Sequence, residues 1–143
     1  SSVGITHDIG KIILLQFFSD HFDKIVTFQK NSLNGDFLDS EMSLGFEGQT
    51  HCEIGAYFLK IWNLPSVNID IALNHHSCFA ANSTNKNLLE SMYFSNMFVN
   101  IIKNVSDVEE IDYNQFELFQ VPSQNLLQLA TKLKIDMNQQ RGL

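Results

Sequence analysis

The sequence contains few cysteines and no cysteine pair at metal-binding spacing. Its two cysteines are Cys52 and Cys78, with no C-x-x-C motif. This pattern predicts neither a disulfide framework nor a zinc knuckle. Two isolated thiols are typical of the reducing cytoplasm, which is the location we expect.

Positive charge and long apolar runs are also scarce. The sequence has nine Lys and Arg residues and sixteen Asp and Glu residues, which gives a net charge of −7. Such a chain lacks the cationic surplus that neutralises nucleic-acid phosphates, and it has no polybasic stretch for anionic lipid. No apolar run approaches the ~20 residues that cross a bilayer. Residues 1–8 also lack the basic segment of a signal peptide. We therefore expect neither nucleic acid nor membrane as a partner.

What the chain does contain is a helical pattern. Its 143 residues, 44% of them hydrophobic, match the size and composition of one globular domain. Apolar residues recur at helical spacing, and no useful stretch alternates with period two. The predicted helices cover 19–28 (capped by Ser19), 37–44, 51–61, 65–76, 88–102 and a last segment capped by Ser123. We predict one all-α domain over residues 1–143, with 105–120 as a solvated acidic loop or helix.

In the helix that follows Gly48, Ile54, Phe58 and Ile61 share one face. His51 extends this apolar stripe by one turn, and His76 extends the stripe of the next helix in the same way. The pattern therefore predicts that both imidazoles face the interior.

Charged groups stand beside apolar ones at the start of the chain. Asp8 and Lys11 lie in "THDIGKIILL", where burial costs several kcal/mol unless each charge is paired or bound to a metal. Four histidines also lie on or at the ends of predicted helices and are candidate ligands: His7, His51, His75 and His76. Imidazole and carboxylate suit Zn, Mn, Fe or Mg, and helical bundles commonly build such sites in their cores. Spacing alone leaves open the alternative that each histidine is a hydrogen-bonded core residue.

Three segments resemble the C-terminal part of an HDOD domain, the HD-related output domain of bacterial signalling proteins. They are "HDIGK" at 7–11, "GQTHCEIGAYFLKIWNLP" at 48–65 and "ALNHH" at 72–76. Their order and intervals match over roughly residues 3–103. The resemblance implies an HD-like multi-helix bundle that is truncated at its N-terminus, with a core over 1–103 and a helical tail over 104–143.

The resemblance also implies roles for single residues. In active HD enzymes the His-Asp doublet binds metal, which makes His7 and Asp8 expected ligands. His51 corresponds to the histidine of the next inward helix, and His75 and His76 correspond to the histidine pair of HD-GYP relatives. The implied cofactor is a divalent ion (Fe, Mn, Zn or Mg). Lys11 is placed to meet a substrate phosphate as a point charge.

Other positions depart from the pattern of active HD enzymes. The family's first ligand histidine belongs to a helix that this chain does not contain. Asn96 stands where a distal aspartate is expected, and Ser77-Cys78-Phe79 follows the histidine pair in place of G-Y-P. Both departures count against a working phosphodiesterase.

These observations leave three functions open. The first is a non-catalytic signalling or regulatory domain that acts through protein contacts, attached in its parent to a receiver, GGDEF or kinase module. The second is a metal-dependent phosphohydrolase or phosphodiesterase that acts on a nucleotide or cyclic dinucleotide. The third is an adaptor that docks partners through the acidic stretch 107–112. The first two require residues 7, 8, 51, 75 and 76 to meet in one cavity.

Overall fold

A computed structural model describes residues 2–32, 36–77, 84–105 and 107–141. Over these residues the chain is helical and has no strand, so the all-α prediction is confirmed. The helices are α1 (Ser2–Thr6), α2 (Ile9–Phe17), α3 (Ser19–Asn31), α4 (Phe37–Ser43), α5 (His51–Ile61), α6 (Ser66–Asn74), α7 (Lys86–Asn104) and α8 (Ser123–Arg141). Two 3-10 helices, Val108–Glu110 and Tyr113–Phe119, lie between α7 and α8. None of the described helices combines the length and apolar character of a membrane span.

The chain divides into two compact units, Ser1–Glu90 and Ser91–Leu143. The division falls inside α7, before the boundary predicted at residue 103. The assignment of both units to one domain stays a prediction.

In the first unit, two glycines let α2 and α5 cross in backbone contact. A Cβ atom on Gly10 would overlap the carbonyl oxygen of His51 and lie 2.6 Å from its carbonyl carbon. A Cβ atom on Gly55 would lie 3.1 Å from the amide nitrogen of Gly10. This crossing places the first residue of α5 directly beside the start of α2.

The buried face of α5 differs from the apolar stripe that the sequence predicts. His51 is buried as predicted, but the buried face continues through Gly55, Ala56 and Leu59. Ile61 is 58% exposed, so its predicted inward position is wrong. The reason is that α5 turns its Gly55 side towards α2, where a Cβ atom would already lie 3.1 Å from the amide nitrogen of Gly10, and this orientation points Ile61 away from the contact.

Capping also differs between prediction and structure. Ser19 is the first residue of α3, and Phe18 occupies the N-cap without a side-chain hydrogen bond, so the predicted cap is wrong. Helices α4 and α5 instead begin with capping boxes, formed by Asp36 with Asp39 and by Thr50 with Glu53. The α5 box fixes where that helix starts.

The second unit has its own core, which extends into the segment predicted as a solvated loop or helix. The acidic side chains of 107–110 are exposed as expected. Ile111 and Phe116, however, are buried in this core. The other buried members of this cluster are Phe98, Ile102, Leu126 and Ala130.

Candidate metal centre

The five side chains singled out as candidate ligands lie together in the first unit. His7 and Asp8 connect α1 to α2, His51 begins α5, and His75 and His76 directly follow α6. Residues separated by up to 69 positions in the sequence therefore share one site.

Asp8 is at the centre of these contacts. Its Oδ1 atom lies 3.2 Å from Nε2 of His75 and 3.5 Å from Nε2 of His51. Its Oδ2 atom lies 3.4 Å from Nε2 of His7. The Nε2 atoms of His51 and His76 are 3.1 Å apart. In each histidine, the nitrogen that faces the others is Nε2.

The opposite nitrogen, Nδ1, meets an oxygen in all four histidines. Nδ1 of His7 lies 2.9 Å from the carbonyl of Gly4, and Nδ1 of His75 lies 3.0 Å from the carbonyl of Ala72. Carbonyl oxygens only accept hydrogen bonds, so these Nδ1 atoms carry the proton. In a neutral imidazole the lone pair then resides on Nε2 and points into the site.

For the other two histidines the acceptor is a carboxylate. His51 places Nδ1 2.7 Å from Oε2 of Glu41, and His76 places Nδ1 3.0 Å from Oδ2 of Asp36. Carboxylates that hold the outer nitrogen of a histidine are the usual second shell of metal sites, because they fix the tautomer and the ring orientation.

Glu41 and Asp36 are functional residues that sequence reasoning missed. Glu41 is fully buried and also accepts a hydrogen bond from the backbone N–H of His51 at 2.6 Å. Burial raises the pKa of Glu41 to about 7, against the opposing hydrogen bond from His51. In the sequence Asp36 looks like an ordinary helix cap and Glu41 like an ordinary acidic residue within a short helix.

The protonation states favour a cation at the centre of the site. Burial, together with the charges of Lys11 and His76, lowers the pKa of His51 to about 3. Burial also lowers the pKa of His75. Burial by itself would raise the pKa of Asp8, but the close approach of His7, His75 and Lys11 keeps it well below its ordinary value. An anionic carboxylate therefore faces neutral imidazole lone pairs.

Nε2 of His75 and Oδ1 of Asp8 are buried and approach each other without hydrogen-bond geometry. Oδ1 forms an ion pair with the Lys11 ammonium at 2.9 Å, whereas Nε2 of His75 has no hydrogen-bond partner. Buried polar atoms are almost always paired, and these two would both be satisfied as ligands of one cation. The donor set, nitrogen and carboxylate oxygen, thus fits a divalent transition metal.

The possible ligand atoms form two groups, each with all its atoms within 4.8 Å of one another. One group is His7, Asp8 and His75, and the other is His51, Cys52, His75 and His76. Both groups use His75. Because one imidazole lone pair binds one ion, His75 completes only one of the two groups at a time.

Lys11 lies at the more open side of the site. Its Nζ atom is 2.9 Å from Oδ1 of Asp8 and 5.4 Å from the centre of the Phe37 ring. The side chains of Asp8 and Lys11 are 35% and 29% exposed, whereas those of His51 and His75 are fully buried. Any ligand from solvent would therefore approach along Asp8 and Lys11.

Two other residues from the sequence analysis, and one further histidine, are not part of this description of the site. Asn96 belongs to the second unit, and Cys78 lies outside the described residues. His21, the fifth histidine, lines a separate apolar cavity of about 460 Å³ with Phe46 and Tyr57. His21 is therefore a matched control for the four clustered histidines.

Comparison with known proteins places these observations in a family. An uncharacterized protein of Treponema pallidum (strain Nichols) is 25% identical over 130 residues, which is 90% of this chain and 25% of the relative. The chain thus spans about a quarter of the length of that relative. No solved structure matches the chain. The family model for the HDOD domain matches residues 1–78, a segment that contains all five candidate ligands. The chain therefore belongs to the HDOD domain family.

Proposed function

We propose that this HDOD domain binds a divalent metal ion and acts as a non-catalytic signalling module of a longer bacterial protein. The ligands would come from His7, Asp8, His51, His75 and His76. The observation that supports this proposal is the convergence of the Nε2 atoms of His7, His51 and His75 on the Asp8 carboxylate, with Nε2 of His76 3.1 Å from that of His51. Every Nδ1 atom of these four histidines is held from outside by an oxygen.

A metal in this site would join three separate parts of the first unit: the α1–α2 connection, the start of α5 and the end of α6. Binding to the folded arrangement alone would stabilise it by mass action, by about 2.7 kcal/mol at an ion concentration 100 times the Kd. The occupied and empty forms would then present different surfaces to a protein partner or to an attached receiver, GGDEF or kinase module.

Burial of the site favours this regulatory role over turnover. Two of the histidines are fully buried, and Lys11 is already paired with Asp8. The relative from Treponema pallidum is about four times as long as this chain, which fits a module within a larger protein.

Elemental analysis of the purified domain tests the proposal. We expect at least one equivalent of Fe, Mn or Zn in the wild type, loss of that metal in Asp8→Ala, and retention in His21→Ala. The regulatory role further predicts no turnover of nucleotides, cyclic dinucleotides or p-nitrophenyl phosphate after reloading with Fe, Mn, Zn or Mg. A wild-type protein that stays metal-free after reloading would contradict the metal centre.

A second function, metal-dependent phosphohydrolysis, is favoured by the position of Lys11 beside the partly exposed edge of Asp8. A bound ion supplies Lewis-acid stabilisation of negative charge on a phosphoryl oxygen. The ammonium of Lys11 would hold another oxygen of the same phosphate. In that case wild-type protein would hydrolyse a phosphate ester, and Lys11→Ala would lose this activity while it kept its metal.

A further inference from the structure

Cys52 is the one residue of the two ligand groups that the resemblance to HD enzymes leaves without a role. It is 4% exposed and lies in the first turn of α5, next to His51. Its Sγ atom is 3.5 Å from Nε2 of His51 and within 4.8 Å of ligand atoms of His75 and His76. The thiol therefore faces the same point as the imidazole lone pairs.

We propose that the thiolate of Cys52 is a further ligand of the metal centre, so that the site selects a borderline ion such as Zn²⁺ over Mg²⁺ and Mn²⁺. The inference rests on the proposed metal centre and adds a ligand and a metal class to it. It also replaces the simpler interpretation of Cys52 as an inert buried thiol.

Two of the six separations among these four ligand atoms agree with tetrahedral coordination, and all six are within 4.8 Å. With Zn–N of about 2.05 Å and Zn–S of about 2.3 Å, tetrahedral angles separate N from S by about 3.6 Å and N from N by about 3.3 Å. The corresponding distances here are 3.5 Å from Cys52 Sγ to His51 Nε2 and 3.1 Å between the Nε2 atoms of His51 and His76.

A second observation points to a cation at the same place. Nε2 of His75 is buried, has no hydrogen-bond partner and belongs to the group that contains Cys52. Three imidazoles and one thiolate form a four-ligand set of the nitrogen and sulfur donors that bind zinc.

In the metal-free site the thiol stays protonated, because burial and the nearby carboxylates of Glu41 and Asp8 raise the pKa of Cys52 to about 12. Cys52 lies at the N-terminal end of α5, and the positive charge of a bound cation would stabilise its thiolate. On metal binding the S–H bond breaks, the sulfur–metal bond forms and the proton leaves to solvent, because a coordinating thiol is deprotonated. Hard ions such as Mg²⁺ gain little from sulfur, whereas zinc gains considerably.

Cobalt(II) is the probe for the test, because a thiolate ligand gives Co²⁺ an intense near-ultraviolet charge-transfer band. Metal-stripped wild type would be titrated with Co²⁺ alone and compared with Cys52→Ser and Cys78→Ser, with bound cobalt quantified in each sample. We expect the band in wild type and in Cys78→Ser, and its loss in Cys52→Ser. We also expect Zn²⁺ affinity to fall by more than about 100-fold in Cys52→Ser, beyond the 10- to 100-fold typical of outer-shell changes.

Any other outcome would contradict coordination by Cys52, and the outcomes differ in whether the metal centre itself survives. Stoichiometric cobalt without the band in wild type would exclude Cys52 as a ligand and leave the proposed metal centre intact. A band that persists in Cys52→Ser and disappears in Cys78→Ser would assign the thiolate to the other cysteine. Absence of bound cobalt would contradict the metal centre itself. Circular dichroism of each variant, together with the wild-type spectrum, separates these results from misfolding.

Discussion

Replacing Gly10 by alanine tests the helix crossing that builds the site. The new Cβ atom would lie 2.6 Å from the carbonyl carbon and 2.9 Å from the Cα of His51. Ordinary carbon–carbon contacts are about 3.5–4.0 Å, so α5 must move by roughly 1 Å or more. The obstacle is backbone, which has no alternative rotamer.

Two opposing effects determine how much Gly10→Ala changes the free energy of unfolding. Overpacking costs about 1–3 kcal/mol and sometimes more, while alanine in a helix is favoured over glycine by about 0.5–1 kcal/mol. We expect Gly10→Ala to lower the free energy of unfolding by about 2 kcal/mol. With a urea slope of about 1–3 kcal/mol/M, the unfolding midpoint falls by roughly 1 M.

Trp62, the single tryptophan, follows α5 in the first unit, so its fluorescence in urea reports the unfolding of this unit. Gly4→Ala is the matched control, because its Cβ atom would have nothing within 4 Å. Gly55→Ala should fall between the two, since its Cβ atom would lie 3.1 Å from Gly10 N and 3.3 Å from a methyl carbon of Ile9. A Gly10→Ala protein as stable as Gly4→Ala would refute this account of the α2–α5 contact.

Three further predictions concern single groups. Glu41→Gln leaves one N–H group of His51 without an acceptor. A zinc titration should therefore show metal affinity reduced about 10- to 100-fold. Urea unfolding should show the free energy of unfolding lowered by about 1–3 kcal/mol. In metal-free protein the stability should fall as the pH drops below about 6.5, because the unfolded chain protonates His75 whereas burial lowers the pKa of this residue in the folded protein. Glu41 (pKa raised to about 7) and His51 (pKa lowered to about 3) add little from pH 6.5 to 4.5, because together they hold one proton, as the unfolded pair also does. Below pH 4.5 the stability should fall more steeply, because the unfolded chain also binds protons that folded Asp8, Asp36 (pKa lowered to about 2) and His51 do not. In the second unit, Lys134→Met removes Nζ–H donors to the carbonyls of Ile102 and Val105 at the end of α7, so hydrogen exchange of α7 and α8 should accelerate by the equivalent of about 1.5–3 kcal/mol.

Matched surface variants control these tests. Glu47→Gln changes an exposed glutamate and should leave metal affinity unaltered. Lys132→Met changes an exposed lysine two residues from Lys134 and should not accelerate exchange. Equal effects in variant and control would contradict the assigned contact, and a stability that rises below pH 4 would contradict the protonation states given for His51 and Asp36.

The sequence allowed the helical class and the clustered histidines to be predicted, because both leave local signals. Helical periodicity places His51 on an inward face, and the resemblance to HDOD domains joins positions 7, 8, 51, 75 and 76. These positions are far apart in the chain, and part of what brings them together is the long-range contact between Gly10 and Gly55. Helical periodicity carries no information on such a contact.

The residues that sequence reasoning missed share a physical cause. Glu41 and Asp36 resemble surface carboxylates at the start of a helix, and only their three-dimensional proximity to His51 and His76 gives them a role. The inward face of α5 was mispredicted because a close helix crossing selects small side chains rather than the most hydrophobic ones. Both failures concern contacts between segments distant in the sequence.

The most direct measurement of the central claim is the ¹⁵N NMR spectrum of the histidine rings before and after zinc is added to metal-stripped protein. The clustered histidines should carry the proton on Nδ1, Nε2 resonances within the cluster should shift on zinc binding, and the resonances of His21 should not change. Ring nitrogens of His51, His75 and His76 that stay unaltered at saturating zinc would contradict the metal centre.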